Sequence, residues 1–378
     1  MYAWEQRKLG NLYKRVNERN DGTLGRDKWI SVAKMYFQDP DKVQSNNLDT
    51  RTYVMKKGDI AFEGHPNNEF KFGRFVLNDI GTGIISELFP IYRPITEYDL
   101  DFWKYAIQLE RVMAPIFAKS ITSSGNSSNK LDHNHFLNQE LLVPNIDEQK
   151  KIGTLLSILS KNITLHQRKL EHLNLKKKAL LQKLFPKNGE RYPELRFPGF
   201  TDAWEQRKLS DITEIVMGQS PSSKNYTDNP NDNILVQGNA DLKDGKVVPR
   251  LWTKEITKTI DKDGIILTVR APVGDVARTD YKVVLGRGVA GIKGNDYIYQ
   301  FLQKLQNNRY WVSLSSGSTF ESINSNDIKD LIIDIPSIEE QTKISMLLNN
   351  VNSIITLHQR KLEHLQLQKK ALLQQMFV

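Results

Sequence analysis

Three short patterns in the sequence could carry catalytic or metal chemistry, and the first is a glycine loop. Gly286, Gly288 and Gly291 fit the G-x-G-x-x-G spacing of a dinucleotide-binding or S-adenosylmethionine-binding loop, and they follow a predicted strand. Such a loop needs a helix directly after it, because the helix N-terminus helps to hold the ligand. Residues 292–295 (Ile-Lys-Gly-Asn) break any helical pattern at once. The spacing therefore does not support nucleotide binding.

The other two patterns suggest a metal site and a nuclease centre. Residues 132–135 (Asp-His-Asn-His) could hold a metal ion, but a surface pair of histidines with satisfied hydrogen bonds is the favoured interpretation. Asp59 with Glu69 and Lys71 imitates a nuclease D…E-x-K set, without a counterpart later in the chain. The sequence has no Cys, which excludes thiol nucleophiles, Cys-ligated zinc and disulfides. It also lacks the Asn/Asp-Pro-Pro-aromatic motif of amino-methyltransferases. We predict neither a catalytic site nor a metal site.

Side chains that can bind base edges or phosphates are more numerous. In the second half of the chain they occur in a polar loop, after one strand and beside others: Gln219, Ser220, Ser222, Lys224, Asn225, Tyr226, Gln237, Asn239, Arg270, Arg278 and Arg287. In the first half, six cations accompany Tyr36, Phe70 and Phe72: Arg26, Lys28, Lys56, Lys57, Lys71 and Arg74. Each of these residues taken singly is more often a solubilising surface group than a base contact. The DNA-binding prediction therefore rests on the two regions as wholes.

An internal repeat organises the chain around these groups. Residues 3–9 (Ala-Trp-Glu-Gln-Arg-Lys-Leu) recur at 203–209, an offset of 200. Residues 163–185 match 355–377 at an offset of 192, and only four of these 23 positions differ. A fixed offset of this kind is a sign of repeated architecture. The chain is therefore predicted to have two halves related by a pseudo-two-fold axis, each with a variable block and a near-identical segment.

The near-identical segments are predicted to be helices that pair through a heptad seam. Seam positions alternate spacings of four and three, as in a coiled coil. In the first copy they hold Ile152, Leu156, Leu159, Ile163, His166, Leu170, Leu173, Lys177, Leu180 and Leu184. In the second copy they hold Ile344, Leu348, Val351, Ile355, His358, Leu362, Leu365, Lys369, Leu372 and Met376. The two seam histidines are predicted to set the register by polar contacts.

The length of the connection favours antiparallel pairing of the two helices. About 38 residues make a rod of roughly 57 Å. The linker 186–202 contains three prolines, and its 17 residues reach at most about 56–61 Å when fully extended. Parallel helices would need this linker to run taut along the whole rod. An antiparallel coiled coil requires no such stretching.

The variable blocks, residues 11–120 and 211–312, share almost no sequence, but both have the pattern of mixed α/β folds. In the second block we predict a strand and turn at 264–274, a strand at 282–285, a helix at 296–311 and a turn at 315–318. The first block carries counterparts: a strand at 57–64, a helix at 99–117 and a turn at 123–125. We therefore expect similar folds with different surfaces, as in a pair of recognition modules.

Composition limits the class of protein and its partners. A length of 378 residues suggests two or three domains at roughly 150 residues each. The net charge is +9, and residues 147–185 and 337–378 together carry +8 of it. A basic rod lying over phosphates and a merely solvated helix face explain this charge equally well. The start has no apolar signal segment, and no apolar run approaches the roughly 18 residues of a membrane span. We expect a soluble, cytoplasmic protein.

With these features, the sequence resembles the specificity subunit of type I restriction–modification systems over essentially the whole chain. The most specific matches are residues 317–319 (Gly-Ser-Thr) with 335–341 (Ile-Pro-Ser-Ile-Glu-Glu-Gln), and the parallel 143–149 (Val-Pro-Asn-Ile-Asp-Glu-Gln). Residues 193–200 (Pro-Glu-Leu-Arg-Phe-Pro-Gly-Phe) are similar to the segment that opens each half in this family. No such segment precedes residue 3, so the first half is expected to be either trimmed or naturally short.

The resemblance implies an α+β fold in which two mixed α/β target recognition domains are joined by two long helices in an antiparallel coiled coil. The implied boundaries are 1–143 and 201–335 for the first and second target recognition domains, 144–186 and 336–378 for the first and second conserved helices, and 187–200 for the linker.

The implied function is to recognise an asymmetric bipartite DNA sequence, with the helices acting as spacer ruler and docking surface. This subunit would itself be non-catalytic and bind no cofactor. Its implied partners are double-stranded DNA, two methylation subunits and the motor-nuclease restriction subunits. S-adenosylmethionine, ATP and magnesium are expected on those partner subunits.

Two rival interpretations remain at this stage. A coiled-coil adaptor with two globular ends would bind no DNA, and a flat salt dependence of duplex binding would favour it. A self-sufficient nuclease or methyltransferase is the other rival, and the missing catalytic motifs argue against it.

Overall fold

The computed structural model describes residues 4–43, 51–124, 128–187, 189–315 and 322–377. The chain divides into two compact units. The first unit comprises Met1–His166 with Lys361–Val378, and the second comprises Gln167–Arg360. Two long helices each contribute one part to either unit. No helix in the described ranges is long and apolar enough to cross a membrane.

The first unit contains small antiparallel sheets and short helices. Its strands are β1 Glu5–Lys8, β2 Tyr13–Val16, β3 Ile30–Ser31, β4 Tyr36–Phe37, β5 Thr52–Met55, β6 Ile60–Glu63, β7 Arg74–Leu77, β8 Gly83–Ser86, β9 Ile91–Pro94, β10 Ile121–Ser124, β11 Asn129–Leu131 and β12 Glu140–Val143. Its short helices are α1 Leu100–Ala106, α2 Glu110–Ser120 and α3 His133–Leu137. A four-stranded sheet has the order β2-β9-β6-β7, and β5-β8, β3-β4, β10-β11 and β1-β12 form pairs.

The second unit has larger, mixed sheets. The long helix α4 (Ile146–Lys183) precedes it, and its strands are β13 Glu205–Lys208, β14 Ile215–Met217, β15 Tyr226–Thr227, β16 Asn233–Val236, β17 Leu242–Lys243, β18 Lys246–Val247, β19 Trp252–Thr253, β20 Thr259–Ile260, β21 Ile265–Thr268, β22 Val276–Arg278, β23 Val283–Leu285, β24 Val289–Ile292 and β25 Ile332–Ile335. Its helices are α5 Leu209–Ile212, α6 Asp296–Asn307, α7 Tyr310–Ser315, α8 Ser325–Lys329 and the start of α9 Ile338–Met376. Six strands follow the order β14-β24-β21-β22-β18-β17, and five follow β15-β19-β16-β23-β20.

Two of the predicted helices are wrong in their extent, because each is broken into two. The span 296–311 divides into α6 and α7, and Arg309 at the break has a φ of 53°, outside the helical region. The span 99–117 divides into α1 and α2, which begins at Glu110. Residues 125 and 316–318 of the predicted turns lie outside the described residues, as do 317–319 of the family signature.

The long helices confirm the predicted antiparallel coiled coil within each unit. In the first unit, Ile152 and Leu156 from the start of α4 share a core with Phe377, just after the end of α9. In the second unit, Leu181 near the end of α4 shares a core with Ile344 near the start of α9. The ten seam positions of each copy are all buried or half-buried. A seam buried over its whole length is what a heptad pattern provides.

A repeated glutamine joins each long helix to the variable block of its own half. The Gln149 side chain donates to the Pro144 carbonyl at 3.0 Å and accepts the backbone N–H of Asp99, the N-cap of α1. Gln341 likewise donates to the carbonyl of the proline five residues before it, at 3.0 Å, and accepts from the side chain of Asn295, the N-cap of α6. The Pro-x-x-x-Glu-Gln signature therefore fixes the start of each long helix against a helix of the variable block.

The linker is fixed to both long helices in the second unit. The Leu195 N–H donates to the Lys183 carbonyl at 2.8 Å and so satisfies an end of α4. Arg196 forms a bidentate pair with Glu340, with distances of 2.8 and 2.9 Å. Glu340 is only 1% exposed, so the guanidinium compensates a buried carboxylate. The Pro-Glu-Leu-Arg-Phe segment is thus an ordered brace.

Candidate nucleic-acid interface

Three segments that are distant in sequence converge in the second unit. The backbone N–H of Gln219 donates to the Leu285 carbonyl at 2.8 Å. The Ser220 hydroxyl accepts the backbone N–H of Arg287 at 3.0 Å. The Gln237 side chain donates to the Tyr226 hydroxyl at 2.7 Å. We name residues 219–226, 237–239 and 286–288 the three-loop cluster. It brings together nine of the eleven polar candidates from this half.

Close backbone approach explains the glycines of this cluster. A Cβ on Gly288 would lie 2.0 Å from the Gln237 carbonyl oxygen, and one on Gly218 would lie 2.0 Å from the Gly286 oxygen. Strand β24 follows the glycines at Val289, as the absence of a helical pattern after them indicated. The glycines therefore allow two loops to pack against a tight turn, and this turn leads into strand β24 rather than into the helix that a nucleotide-binding loop needs.

Acidic residues that the sequence prediction missed hold the cluster in shape. Glu255 accepts the Ser222 N–H at 2.8 Å and the Asn225 side-chain N–H at 2.7 Å. Asp241, 5% exposed, accepts the Gln237 N–H at 2.7 Å. The only sequence signal for Asp241 is its place two residues after Asn239 in a polar turn. Nothing local marks Glu255, which lies 30 residues beyond the amide that it binds.

Exposure separates the candidates of the second unit. Six of the eleven are exposed: Gln219, Ser222, Lys224, Asn239, Arg270 and Arg287. Arg270 adjoins Val269, whose N–H binds the Gly288 carbonyl at 2.9 Å, so it lies beside the cluster. Arg278 is different, because it pairs with Asp296 at 2.7 Å and lies 5.1 Å from the ring centroid of Tyr299. Its guanidinium therefore makes its contacts with residues of the same domain.

In the first unit, Arg74 joins two hairpins that carry candidate cations. Its guanidinium binds Glu63 at 2.8 Å and the Ala33 carbonyl, between β3 and β4, at 2.7 Å. Lys28 and Lys71 are exposed on these hairpins and lie over Phe37 and Phe72, respectively. Arg26 is exposed in the same short 3-10 turn as Lys28. The structure therefore brings Arg26, Lys28 and Lys71 onto joined loops, with Arg74 as their internal support.

Lys56 and Lys57 form a separate patch. They lie in the turn before β6. The first residue of β6 pairs with Leu77 and its last residue pairs with Arg74, so the two lysines and Arg74 lie at opposite ends of β6. The first and last residues of this four-residue strand are roughly 10 Å apart. The turn is held by buried Asp59, which accepts the Lys56 N–H at 2.7 Å and a bidentate pair from Arg93 at 2.9 and 2.8 Å.

The patterns first considered for catalysis have structural roles. Asp59 is occupied by Arg93, and Glu69 follows β6 at the opposite end of the β6–β7 hairpin. Asp132 caps α3 by accepting the His135 N–H at 2.8 Å, and the His133 ring lies 3.0 Å from Arg15. Within the described ranges, no group of three or more Asp, Glu or His side chains could hold a metal ion.

The long helices expose cations and leucines at equivalent positions. Arg168, Lys169 and Lys178 are exposed on α4, as are their counterparts Arg360, Lys361 and Lys370 on α9. Leu165 and Leu357 are 65% and 67% exposed, and Leu175 and Leu367 are 62% and 67% exposed. Neither leucine pair belongs to the seam. Single exposed leucines are common on protein surfaces, but these recur at the same two positions of both long helices.

Sequence comparisons identify relatives of the whole chain and of its second half. Residues 201–367 match the family model of the type I restriction modification DNA specificity domain. The putative type I restriction enzyme MjaX specificity subunit of Methanocaldococcus jannaschii is 26% identical over 367 residues, covering 92% of this chain and 83% of that protein. The MjaIX specificity subunit of the same organism is 28% identical over 166 residues, covering 40% of this chain and 38% of that protein.

Structural comparisons support the fold. The S subunit of a type I restriction–modification system from M. genitalium has a TM-score of 0.64 at 15% identity, with 99% of this chain and 96% of that chain covered. The HsdS subunit from Thermoanaerobacter tengcongensis has a TM-score of 0.50 at 21% identity, with 99% and 96% covered. A chain from a type I system studied for complex assembly has a TM-score of 0.58 at 21% identity, with 99% and 97% covered.

Proposed function

We propose that the chain is a specificity subunit of a type I restriction–modification system, the non-catalytic component that directs its partner subunits to a two-part DNA target. Each variable block acts as a recognition block and reads one part of the target. Because the blocks share almost no sequence, the two parts differ and the target is asymmetric.

In the second unit, the three-loop cluster with Arg270 is the proposed DNA-reading surface. Arg287 stands exposed at its turn, and Gln219 and Asn239 flank it. Arginine donates bidentately to guanine, and glutamine or asparagine to adenine, in the major groove. In the first unit, the joined loops with Arg26, Lys28 and Lys71 are the proposed counterpart. Lys56 and Lys57 are better placed for phosphate contacts, which position a protein without reading sequence.

The long helices are the proposed ruler and docking surface. A helix of 38 residues is about 57 Å long, and roughly 17 base pairs of B-DNA have that length at 3.4 Å per pair. The exposed leucine pairs repeat at the same positions of α4 and α9. A surface present twice accommodates two copies of one partner, and we assign it to two methylation subunits.

The chemistry belongs to the partners in this proposal. The methylation subunits carry S-adenosylmethionine, and the restriction subunits use ATP and magnesium to translocate and cleave DNA. The complex acts in the cytoplasm, where the chromosome and invading DNA meet it. This chain selects the DNA sequence and binds none of these cofactors.

One observation carries the proposal. The family match covers the second recognition block together with most of its long helix, and the internal repeat gives the first block an equivalent long helix and glutamine brace. A symmetric adaptor would have no reason to diversify the blocks while keeping residues 163–185 and 355–377 of the helices near-identical. Two DNA-reading domains held by a common pair of helices require divergent blocks and similar helices.

Mapping methylated adenines in cells tests this proposal. Cells expressing the methylation subunit with this chain should acquire methylation at one asymmetric, interrupted motif, and cells lacking the chain should not. Identical methylation without the chain would refute the proposal. Measuring duplex binding by the purified complex at increasing salt concentration distinguishes a DNA-binding subunit from a coiled-coil adaptor. Contacts to DNA phosphates give an affinity that falls as salt rises, whereas an adaptor would show no dependence on salt.

A further inference from the structure

Each unit contains a groove where a break between two recognition-block helices meets a long helix. In the first unit, the break before α2 faces Lys369 and Lys370 of α9 across a groove of about 490 Å³. In the second unit, Asn307 at the end of α6 faces Lys177 and Lys178 of α4 across a groove of about 450 Å³. Both volumes lie in the range of sites that bind ligands or side chains of a partner.

The two grooves are copies of one site. Lys177 and Lys369 occupy equivalent positions of the repeat, as do Lys178 and Lys370, and a third wall position is an amide in both. The opposite walls come from recognition blocks that share almost no sequence. The lysines are therefore not retained for packing against a common neighbour within the chain.

Lys177 and Lys369 are half-buried, and neither forms an ion pair with a carboxylate among the described residues. Burial lowers the pKa of Lys177 to about 8, and no carboxylate in the described part of the chain offsets it. Burial also lowers the pKa of Lys369, and the nearby charge of Lys104 lowers it further. The Lys369 ammonium lies 4.9 Å from the ring centroid of Tyr105. A desolvated cation is costly until an anion pairs with it.

The remaining lining residues leave each groove cationic and partly apolar. In the first groove, Arg111 and two lysines face one acid, Glu110, which already accepts the Lys71 N–H at 3.0 Å. Arg111 donates to two carbonyls at the end of α9, each at 2.9 Å, so its side chain forms part of the groove wall. The second groove is lined by two lysines and one acid, Glu171, all of them on α4. Leucine side chains line both grooves.

We propose that each groove seats a carboxylate-bearing segment, with an apolar side chain beside the carboxylate, from one copy of the methylation subunit. The carboxylates pair with Lys177 in one groove and Lys369 in the other. This assignment rests on the proposed function, and it names the chemistry by which the partner is held. Phosphates of DNA fit less well, because they are bound by exposed cations, whereas these ammonium groups lie half-buried beside leucines.

Titration of the full-length chain with its own methylation subunit tests the grooves. Lys177→Met and Lys369→Met remove one charge each at similar volume, and Lys177→Arg and Lys369→Arg keep it. Lys169→Met and Lys361→Met are matched controls, since these lysines are exposed, equivalent in the repeat and outside both grooves. Native mass spectrometry counts the bound copies, and calorimetry measures their affinity.

Each single Met variant in a groove should weaken one of two bound copies at least tenfold, about 1.4 kcal/mol. The double Met variant should weaken both, while the Arg variants and the matched controls stay within twofold of wild type. Melting temperatures of the groove Met variants should hold or rise, because a buried charge is removed.

Two copies bound by the double Met variant with wild-type affinity would overturn the groove assignment. So would equal losses in the matched controls, or a loss confined to DNA binding. A wild-type chain that binds no methylation subunit would instead refute the proposed function itself.

Discussion

At the residue scale, Arg287 is the most direct test of the DNA-reading surface. It is exposed at the turn of the three-loop cluster, so Arg287→Ala removes a donor without disturbing a buried contact. A bidentate arginine–guanine contact contributes about 1–3 kcal/mol of discrimination. We expect methylation of the native target to fall tenfold or more, with altered preference in one half-site, as read by methylome sequencing.

Two other arginines are the controls for this prediction. Arg207→Ala, on exposed strand β13, should leave the target unchanged. Arg278→Ala should instead lower the free energy of unfolding by about 1–3 kcal/mol, because its guanidinium binds Asp296 and the Asp263 carbonyl. A native motif methylated at the wild-type level by Arg287→Ala would remove this residue from the surface.

The glycines of the cluster give a second prediction at this scale. Gly288→Ala places a Cβ 2.0 Å from a backbone oxygen, so the turn or the Gln237 loop must move. Overpacking of this kind costs about 1–3 kcal/mol. Gly238→Ala is the matched control, because nothing lies within 4 Å of its Cβ position and its φ of 176° is extended. Urea denaturation should show a loss for Gly288→Ala alone; equal stabilities would contradict the packing described.

At the element scale, buried leucines of the long helices serve packing, and exposed leucines of the same helices are proposed to serve docking. Leu173 is 7% exposed in the seam, and Leu175, two residues away, is 62% exposed. Leu173→Ala should lower the free energy of unfolding by about 2–5 kcal/mol, as for other buried leucines. Leu175→Ala should leave stability unchanged and weaken binding of the methylation subunit. If Leu175→Ala binds that subunit like wild type, the exposed leucines are not its docking surface.

The ruler role predicts a change in target length. Inserting seven residues at equivalent points of both long helices preserves the heptad seam and adds about 10 Å to each. The spacer between half-sites should lengthen by roughly three base pairs. Methylome sequencing of the insertion variant measures that spacer. A folded, active variant with the original spacer would show that the helices do not set it.

The sequence predicts the long helices well because a heptad pattern is a local, periodic signal. It predicts the breaks in shorter helices poorly, since the break at Arg309 depends on how two helices pack on a sheet. It predicts the candidate site in part. Residues at 219, 237 and 287 could be selected by type, but only the fold shows that they meet. Arg74 and Arg278 look equally suitable in sequence, and their internal partners emerge only in three dimensions.

At the scale of the whole molecule, the two halves keep the same frame and differ in what they present. The glutamine braces, the seam and the lysine grooves recur at an offset of 192, whereas the loops proposed to read DNA do not. Most of the net charge of +9 lies on the helices rather than on those loops. Overall composition therefore indicates the kind of partner, while the recognition surfaces are set by loop packing within each block.

Exchange of one recognition block tests the central claim most directly. Residues 11–120 are replaced by the corresponding block of another specificity subunit, and methylated adenines are mapped in cells that also express the methylation subunit. The account predicts that one half-site of the motif changes, while the other half-site and the spacer stay as they were. A simultaneous change of both half-sites, or no change in either, would contradict a chain that reads its target with two independent blocks.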